Sequence, residues 1–212
     1  MRNIVIVLCC LLLCSSQTAT LSTKKVADGI RVKLPKDFLV MSDDDIAAKY
    51  PSTKKPLAMF TNVDRMVDFG INVSKTVFPG NDLEILKGVY KATIMDTYTN
   101  VQFTKEEIQK IKNRDYIVFE YTGQFEKVKN YTYIQYTLIN GQVFIFNFTC
   151  PASEKAKWAE TAEAIMTSVK INESGLKLPQ APAYQNSSKG KNPQQVLEMQ
   201  KAQKKQTSKK TK

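Results

Sequence analysis

Three closely spaced segments with the composition of β-strands constrain this fold more than any other feature. They span residues 115–126, 130–140 and 142–150, and they are rich in aromatic and β-branched residues. An Asn-Gly pair at 140–141 separates the last two, and both residue types tolerate the positive φ of a tight type I′ turn. We therefore expect an antiparallel meander of three strands.

The last of these strands is apolar on both faces. Successive side chains of a strand point to opposite sides of its sheet. One face carries Phe144, Phe146, Phe148 and Cys150, and the other begins with Val143 and Ile145. A sheet of this kind needs a cover on each side.

Two helical patterns supply these covers. Asp82 caps a predicted helix that runs to about Tyr98, with apolar residues at helical spacing. Ser153 caps a second helix, whose apolar stripe consists of Trp158, Ala162, Ile165, Met166 and Val169. The predicted fold class is α+β, an α/β/α sandwich with an antiparallel β-sheet covered by helices.

The N-terminal half predicts further strands and one short helix. Residues 30–38 alternate between apolar and polar types, and Ser42 or Asp43 can cap a short helix. Strands are expected at 57–62 and 66–78, and one face of the latter carries Val67, Phe69, Ile71 and Val73.

From Asn100 onward the pattern changes to strands, and residues 101–114 carry a short polar segment. Ile108 and Ile111 would pack its inner side against the rest of the domain.

Two features together resemble a known family. One is an aromatic strand followed by a helix with a central tryptophan, QVFIFNFTCP and then KWAETAEAIMTSVKI; the other is the opening VKLPKDF. Over about residues 28–172 the chain is similar to the Mog1/PsbP-like superfamily, including exported proteins of the DcrB type. The resemblance implies an α/β/α sandwich that acts in binding or assembly. No functional residue of the family has a match here.

The N-terminus has the layout of a secretory signal peptide. Arg2 precedes an apolar run from Ile4 to Cys14, and small polar residues follow. We predict a signal peptide at 1–19 with cleavage within about 16–20, and hence a secreted or periplasmic protein. Lipoprotein anchoring through Cys14 is the less favoured alternative, because Leu13 stands where that processing requires a small residue.

The positive charge is concentrated at the other end. The chain has a net charge of +11, and its last 39 residues, 174–212, contain nine lysines and one acid, Glu198. The span from 24 to 173 holds 21 basic and 19 acidic residues, so we expect no basic face on the single domain predicted at 20–173. The segment 174–212 is predicted to be a disordered lysine-rich tail. Its candidate electrostatic contacts are Lys201, Lys204, Lys205, Lys209, Lys210 and Lys212.

The sequence contains no histidine, which removes the commonest general base and metal ligand. Cys150 is expected to be a buried, inert thiol, and Trp158 a core residue. Tyr131 and Tyr133 should pack on one face of their strand and Tyr136 on the other. Three consecutive aspartates at 43–45 lack the spacing of a calcium loop. We therefore assign no catalytic, cofactor-binding or metal-binding residue, and an enzyme is the less favoured class.

The leading hypothesis is a non-enzymatic binding or assembly protein, expected to be a monomer without a permanent transmembrane segment. Its partner would be an unknown protein or an anionic envelope component, held weakly by the cationic tail. Nucleic acid is disfavoured because the tail has no arginine and a single aromatic residue, Tyr184. The alternatives are a small-ligand or lipid carrier, and an enzyme that uses carboxylate or tyrosine residues.

Overall fold

The computed structural model describes residues 19–50, 55–78 and 80–176. The predicted signal peptide and the lysine-rich tail lie almost entirely outside these residues, as do the six candidate tail lysines. None of the helices in the described part of the chain is long and apolar enough to cross a membrane.

Ten strands and three α-helices form the fold within the described residues. The strands are β1 (Leu21–Ala27), β2 (Ile30–Pro35), β3 (Leu39–Val40), β4 (Ala58–Thr61), β5 (Asp68–Val77), β6 (Thr99–Ile111), β7 (Arg114–Phe125), β8 (Val128–Ile139), β9 (Gln142–Pro151) and β10 (Lys170–Ile171). The helices are α1 (Asp43–Lys49), α2 (Leu83–Thr97) and α3 (Lys155–Ser168).

Seven strands build the main sheet, in the order β3-β4-β5-β9-β8-β7-β6, with antiparallel neighbours throughout. The predicted meander is confirmed, and β6 extends it to four strands. Asn140 and Gly141 have φ values of 51° and 76°, which confirms the tight turn between β8 and β9.

The two faces of the main sheet carry two separate hydrophobic clusters. The phenylalanines of β9 face α3, whose predicted stripe is buried from Trp158 through Val169. The opposite face packs Ile117, Phe119 and Tyr136 against α2. The sandwich with a helix on each side is therefore confirmed.

A second sheet shares the α3 side. It consists of β1, β2 and β10, with β2 in the centre. Its inner face contributes Val26, Ile30, Val32 and Leu34 to the same cluster as α3. The sequence pattern predicts β2 but neither β1 nor β10.

Two local predictions were wrong. The segment 101–114, in which the sequence indicates a short polar stretch, contains most of the thirteen-residue edge strand β6. Ile108 and Ile111 do not share one inner side, because they pack on opposite faces of this strand, Ile108 in the cluster under α2 and Ile111 in the cluster under α3. Charged side chains are typical of edge strands because they discourage pairing with other chains, and this composition hid the strand. Ser153 does not cap α3, since it lies in a 3₁₀ turn at 152–154 and the residue before the helix, Glu154, makes no side-chain cap.

The other helix starts are confirmed. The Ser42 hydroxyl accepts from the amide of Asp45 at 3.1 Å, and Asp82 accepts from the amides of Glu84 and Ile85. Both caps satisfy amide groups that a first helical turn leaves unpaired.

Candidate functional site

The register of the small sheet places three cations side by side. In β1 and β2, Lys25 lies opposite Arg31; in β2 and β10, Arg31 lies opposite Lys170. All three are exposed on the outer face, while the alternate residues of β2 point into the core. Like charges directly opposite one another on neighbouring strands are destabilising, so this row costs the fold stability.

Two further lysines lie beside this row. Lys33 follows Arg31 on the same face of β2, and its amide donates to the hydroxyl of Ser168 at 2.8 Å. Lys112 belongs to the turn between β6 and β7, where its φ of 57° is left-handed. Its Nζ donates to the carbonyl oxygens of Ser168 at 3.3 Å and Val169 at 3.0 Å, at the end of α3. We name Lys25, Arg31, Lys33, Lys112 and Lys170 the basic face.

The electrostatics of the basic face are repulsive. The pKa of Lys112 is lowered by partial burial and then by the positive charges of Lys170 and Lys33. The carbonyl groups at the C-terminus of α3 carry partial negative charge and hold the ammonium group in place.

Few carboxylates balance these charges. Asp28 pairs with Lys25 at 2.7 Å, and Glu173 pairs with Arg114 beside the basic face. Within residues 19–50, 55–78 and 80–176, Arg31, Lys33 and Lys170 have no ion-pair partner.

Two depressions flank β10 on this side of the molecule. The larger has a volume of about 590 Å³, and Lys25, Arg31 and Lys170 are among its lining residues. The smaller, of about 240 Å³, is lined by Lys112, Arg114 and again Lys170. The arrangement can hold phosphate or carboxylate groups, since guanidinium and ammonium donors form short, charge-assisted hydrogen bonds to both.

A second polar cluster bears on the enzyme alternative. Asp68 is 2% exposed; its Oδ2 accepts from the hydroxyl of Tyr50 and pairs with Nζ of Lys49 at 2.6 Å. Burial and then the negative charge of Asp68 raise the pKa of Tyr50. The phenol is therefore a neutral hydrogen-bond donor that fixes the carboxylate, and not a base.

The remaining sequence candidates are packed in the domain. Cys150 is buried, and burial raises the pKa of its thiol to about 12. Tyr131 and Tyr133 lie in the cluster under α3, Tyr136 lies in the cluster under α2, and Trp158 is buried between Phe38 and Phe148. In the described part of the chain, no group of three or more histidine, cysteine or acidic side chains is arranged to hold a metal ion.

The expectation of no basic face on the domain is wrong, because the small net charge of residues 24–173 conceals a local cluster of cations. A usable signal was present in the Asp-Gly pair at 28–29, which typically marks a hairpin. A regular two-residue hairpin there makes the two flanking basic segments neighbours but pairs Lys25 with Val32. The β-bulge between Lys25 and Ala27 brings Lys25 opposite Arg31, and the fold adds Lys112 and Lys170.

The comparisons with known proteins rest on structure. No protein-family model matches the chain, and neither does any curated protein sequence. The PsbP protein of the cyanobacterium Synechocystis sp. PCC 6803, CyanoP, superimposes with a TM-score of 0.53 at 12% identity, covering 73% of this chain and 94% of CyanoP.

LpqN of Mycobacterium tuberculosis has a TM-score of 0.50 at 11% identity, covering 72% of this chain and 91% of LpqN. The fold is of the Mog1/PsbP type. The yeast Ran-binding protein Mog1p, from Saccharomyces cerevisiae, has a TM-score of 0.48 at 10% identity, covering 73% of this chain and 98% of its own. At these identities the likeness concerns the Mog1/PsbP-like fold alone.

Proposed function

We propose that this protein is an exported, non-enzymatic binding protein that attaches to an anionic envelope component through its basic face and its lysine tail. The observation that carries the proposal is the cross-strand row of Lys25, Arg31 and Lys170, in which like charges are adjacent and mostly unpaired. Bound anions would relieve this repulsion, so binding and the stability of the small sheet favour the same state.

The lysine tail begins beside the basic face. Leu176, the last described residue, packs against the core under α3, and Gly175 lines the larger depression. The chain continues from there into a segment with nine lysines and one acid. An anionic surface in contact with the basic face is therefore within reach of the tail, and the two would act as linked binding elements.

Export is supported by the leader and by cysteine usage. Three of the four cysteines lie in residues 1–19, so the proposed mature protein keeps Cys150 alone. The solved structure of LpqN is described as that of a protein involved in cell envelope biogenesis, which agrees with an envelope role on this fold.

The test compares charge removal on the basic face with charge removal elsewhere. One variant of residues 20–212 carries Arg31→Gln and Lys170→Gln. A matched control carries Lys127→Gln and Lys129→Gln, two exposed lysines at the opposite end of the meander. A third replaces the six candidate tail lysines by glutamine. Binding to anionic vesicles and to a soluble polyanion is measured at low and high salt.

Each lysine or arginine near an anionic surface contributes about 1 kcal/mol. The basic-face variant lacks two charges and should therefore lose about 2 kcal/mol of binding free energy at low salt. Since 1.4 kcal/mol is a factor of ten, it should bind roughly thirtyfold more weakly than the wild type. The control should bind as the wild type does, and added salt should weaken all binding. Equal binding by the basic-face variant and the control, or binding to neither probe, would contradict the proposal.

A further inference from the structure

We propose that the basic face binds a linear polyanion, a chain with repeated phosphate or carboxylate groups, which crosses the small sheet at right angles to its strands. This inference rests on the proposed function and names the chemistry of its ligand. A single anionic head group is the alternative that the geometry does not favour.

The direction of the path follows from the register. Lys25, Arg31 and Lys170 occupy one row across β1, β2 and β10. Neighbouring strands lie about 4.8 Å apart. The row therefore spans about 10 Å across the strands, with one cation on each.

The path continues past the last strand of the row. The two depressions share Lys170 and Ile171, so β10 separates them and belongs to both. Beyond β10 the smaller depression presents Lys112 and Arg114. A chain laid along the row thus meets cations in the first depression, on the ridge and in the second depression.

The distribution of charge explains why a chain fits better than one head group. A single phosphate in the larger depression can contact Lys25, Arg31 and Lys170 but does not reach Lys112, and one in the smaller depression does not reach Lys25 or Arg31. Lys170 lines both depressions, and its positive charge, together with burial and the charge of Lys33, lowers the pKa of Lys112 in the smaller one. Only an anion that reaches both depressions compensates the positive charges of both.

Acidic groups border the path. Asp28 lies at the outer end of the row with Lys25, and Glu173 lies with Arg114 at the far end. The cations between them, Arg31 and Lys170, have no ion-pair partner in the described residues, so the centre of the path is the part most available to an anion.

The experiment measures affinity against chain length. Residues 20–212, with the six candidate tail lysines replaced by glutamine, are titrated with orthophosphate, tripolyphosphate and a polyphosphate of about fifteen units. Poly-glutamate of matched lengths provides the carboxylate series. Affinity should rise with length by more than the statistical gain in binding registers, and should level off once both depressions are reached.

Two single substitutions test the ends of the path. Lys25→Gln and Lys112→Gln lie on opposite sides of β10, and each should weaken the long chain about fivefold. Tripolyphosphate is short enough to occupy one depression, so its affinity should be lowered by one of these substitutions and not by both. Lys127→Gln/Lys129→Gln serves as the control for charge, and the urea midpoint of each variant shows that it is folded.

The inference is overturned if affinity does not depend on chain length. It is also overturned if neither Lys25→Gln nor Lys112→Gln weakens the binding of the long chain. If the basic face still binds anionic vesicles in that case, the proposed function stands and the ligand is a membrane surface. If neither vesicles nor polyanions bind, both proposals fail.

Discussion

Gly29, in the turn between β1 and β2, packs against the segment 172–176 that precedes the lysine-rich tail. Its replacement by alanine should destabilise the domain. Its φ is 72°, a left-handed value that costs alanine about 1–2 kcal/mol. A Cβ at this position would lie 2.6 Å from the carbonyl oxygen of Asn172 and 2.8 Å from the amide nitrogen of Leu176. These are backbone atoms, so the segment at 172–176 must move away.

The movement removes specific contacts. The amide of Asn172 donates to the carbonyl of Gly29 at 2.7 Å, and the loss of this bond costs about 0.5–1.5 kcal/mol. Partial withdrawal of Leu176 from the core under α3 costs about 1 kcal/mol more. We expect a total loss of about 3 kcal/mol in the free energy of unfolding, at the upper end of the range common for single substitutions.

Urea unfolding measures this loss. With a slope of about 2 kcal/mol per molar urea, the midpoint of Gly29→Ala should fall by about 1.5 M. Gly88→Ala is the matched control, because Gly88 lies inside α2 and a Cβ there meets nothing within 4 Å. Alanine should stabilise that helix by about 0.5–1 kcal/mol. A midpoint for Gly29→Ala within about 0.25 M of the wild type would refute the reasoning.

Three further predictions concern buried or perturbed groups. Tyr50→Phe should cost about 1.5–3 kcal/mol in urea unfolding, because it removes a hydrogen bond to the buried carboxylate of Asp68; a change below about 0.5 kcal/mol would show that the bond contributes little. Cys150 should resist thiol reagents at pH 8 in the folded protein and react fully in denaturant, since burial raises its pKa to about 12; rapid labelling of the folded state would contradict this. Protonated Lys112 is disfavoured in the folded state, so its unfavourable contribution is present below its lowered pKa and disappears as the pH rises above 10.5. A bound polyanion should raise that pKa in an NMR titration, and an unchanged value would mean that no anion approaches Lys112.

Features that depend on neighbouring residues could be predicted from the sequence. The turn at 140–141, the caps at Ser42 and Asp82 and the stripe beginning at Trp158 each follow from a short pattern. In each case the residue types satisfy a local requirement, such as a positive φ, an unpaired amide or a helical period. The two-sided cover of the main sheet followed from the apolar pattern on both faces of β9.

Features that depend on distant pairing could not be predicted in the same way. The strand β1 has a single buried residue, Val26, so it lacks the apolar alternation that reveals a strand. β10 is two residues long, too short for any periodicity. The basic face takes one or two cations from each of four separate segments, and a net charge averaged over the domain conceals such a cluster.

Burial on both sides of the sheet also determines which chemistry the domain can offer. It raises the pKa values of the tyrosines under α3 and α2 and of the Cys150 thiol, which moves these groups away from roles as bases or nucleophiles near neutral pH. Among the described groups with a shifted pKa, Lys112 is the one whose pKa moves toward neutral pH, and this residue lies on the basic face. Its ammonium group is held by the carbonyl groups of α3, so Lys112 retains a positioned charge. The small sheet thus presents exposed cations above a closed apolar core, and the proposed recognition of repeated negative charge rests on this arrangement.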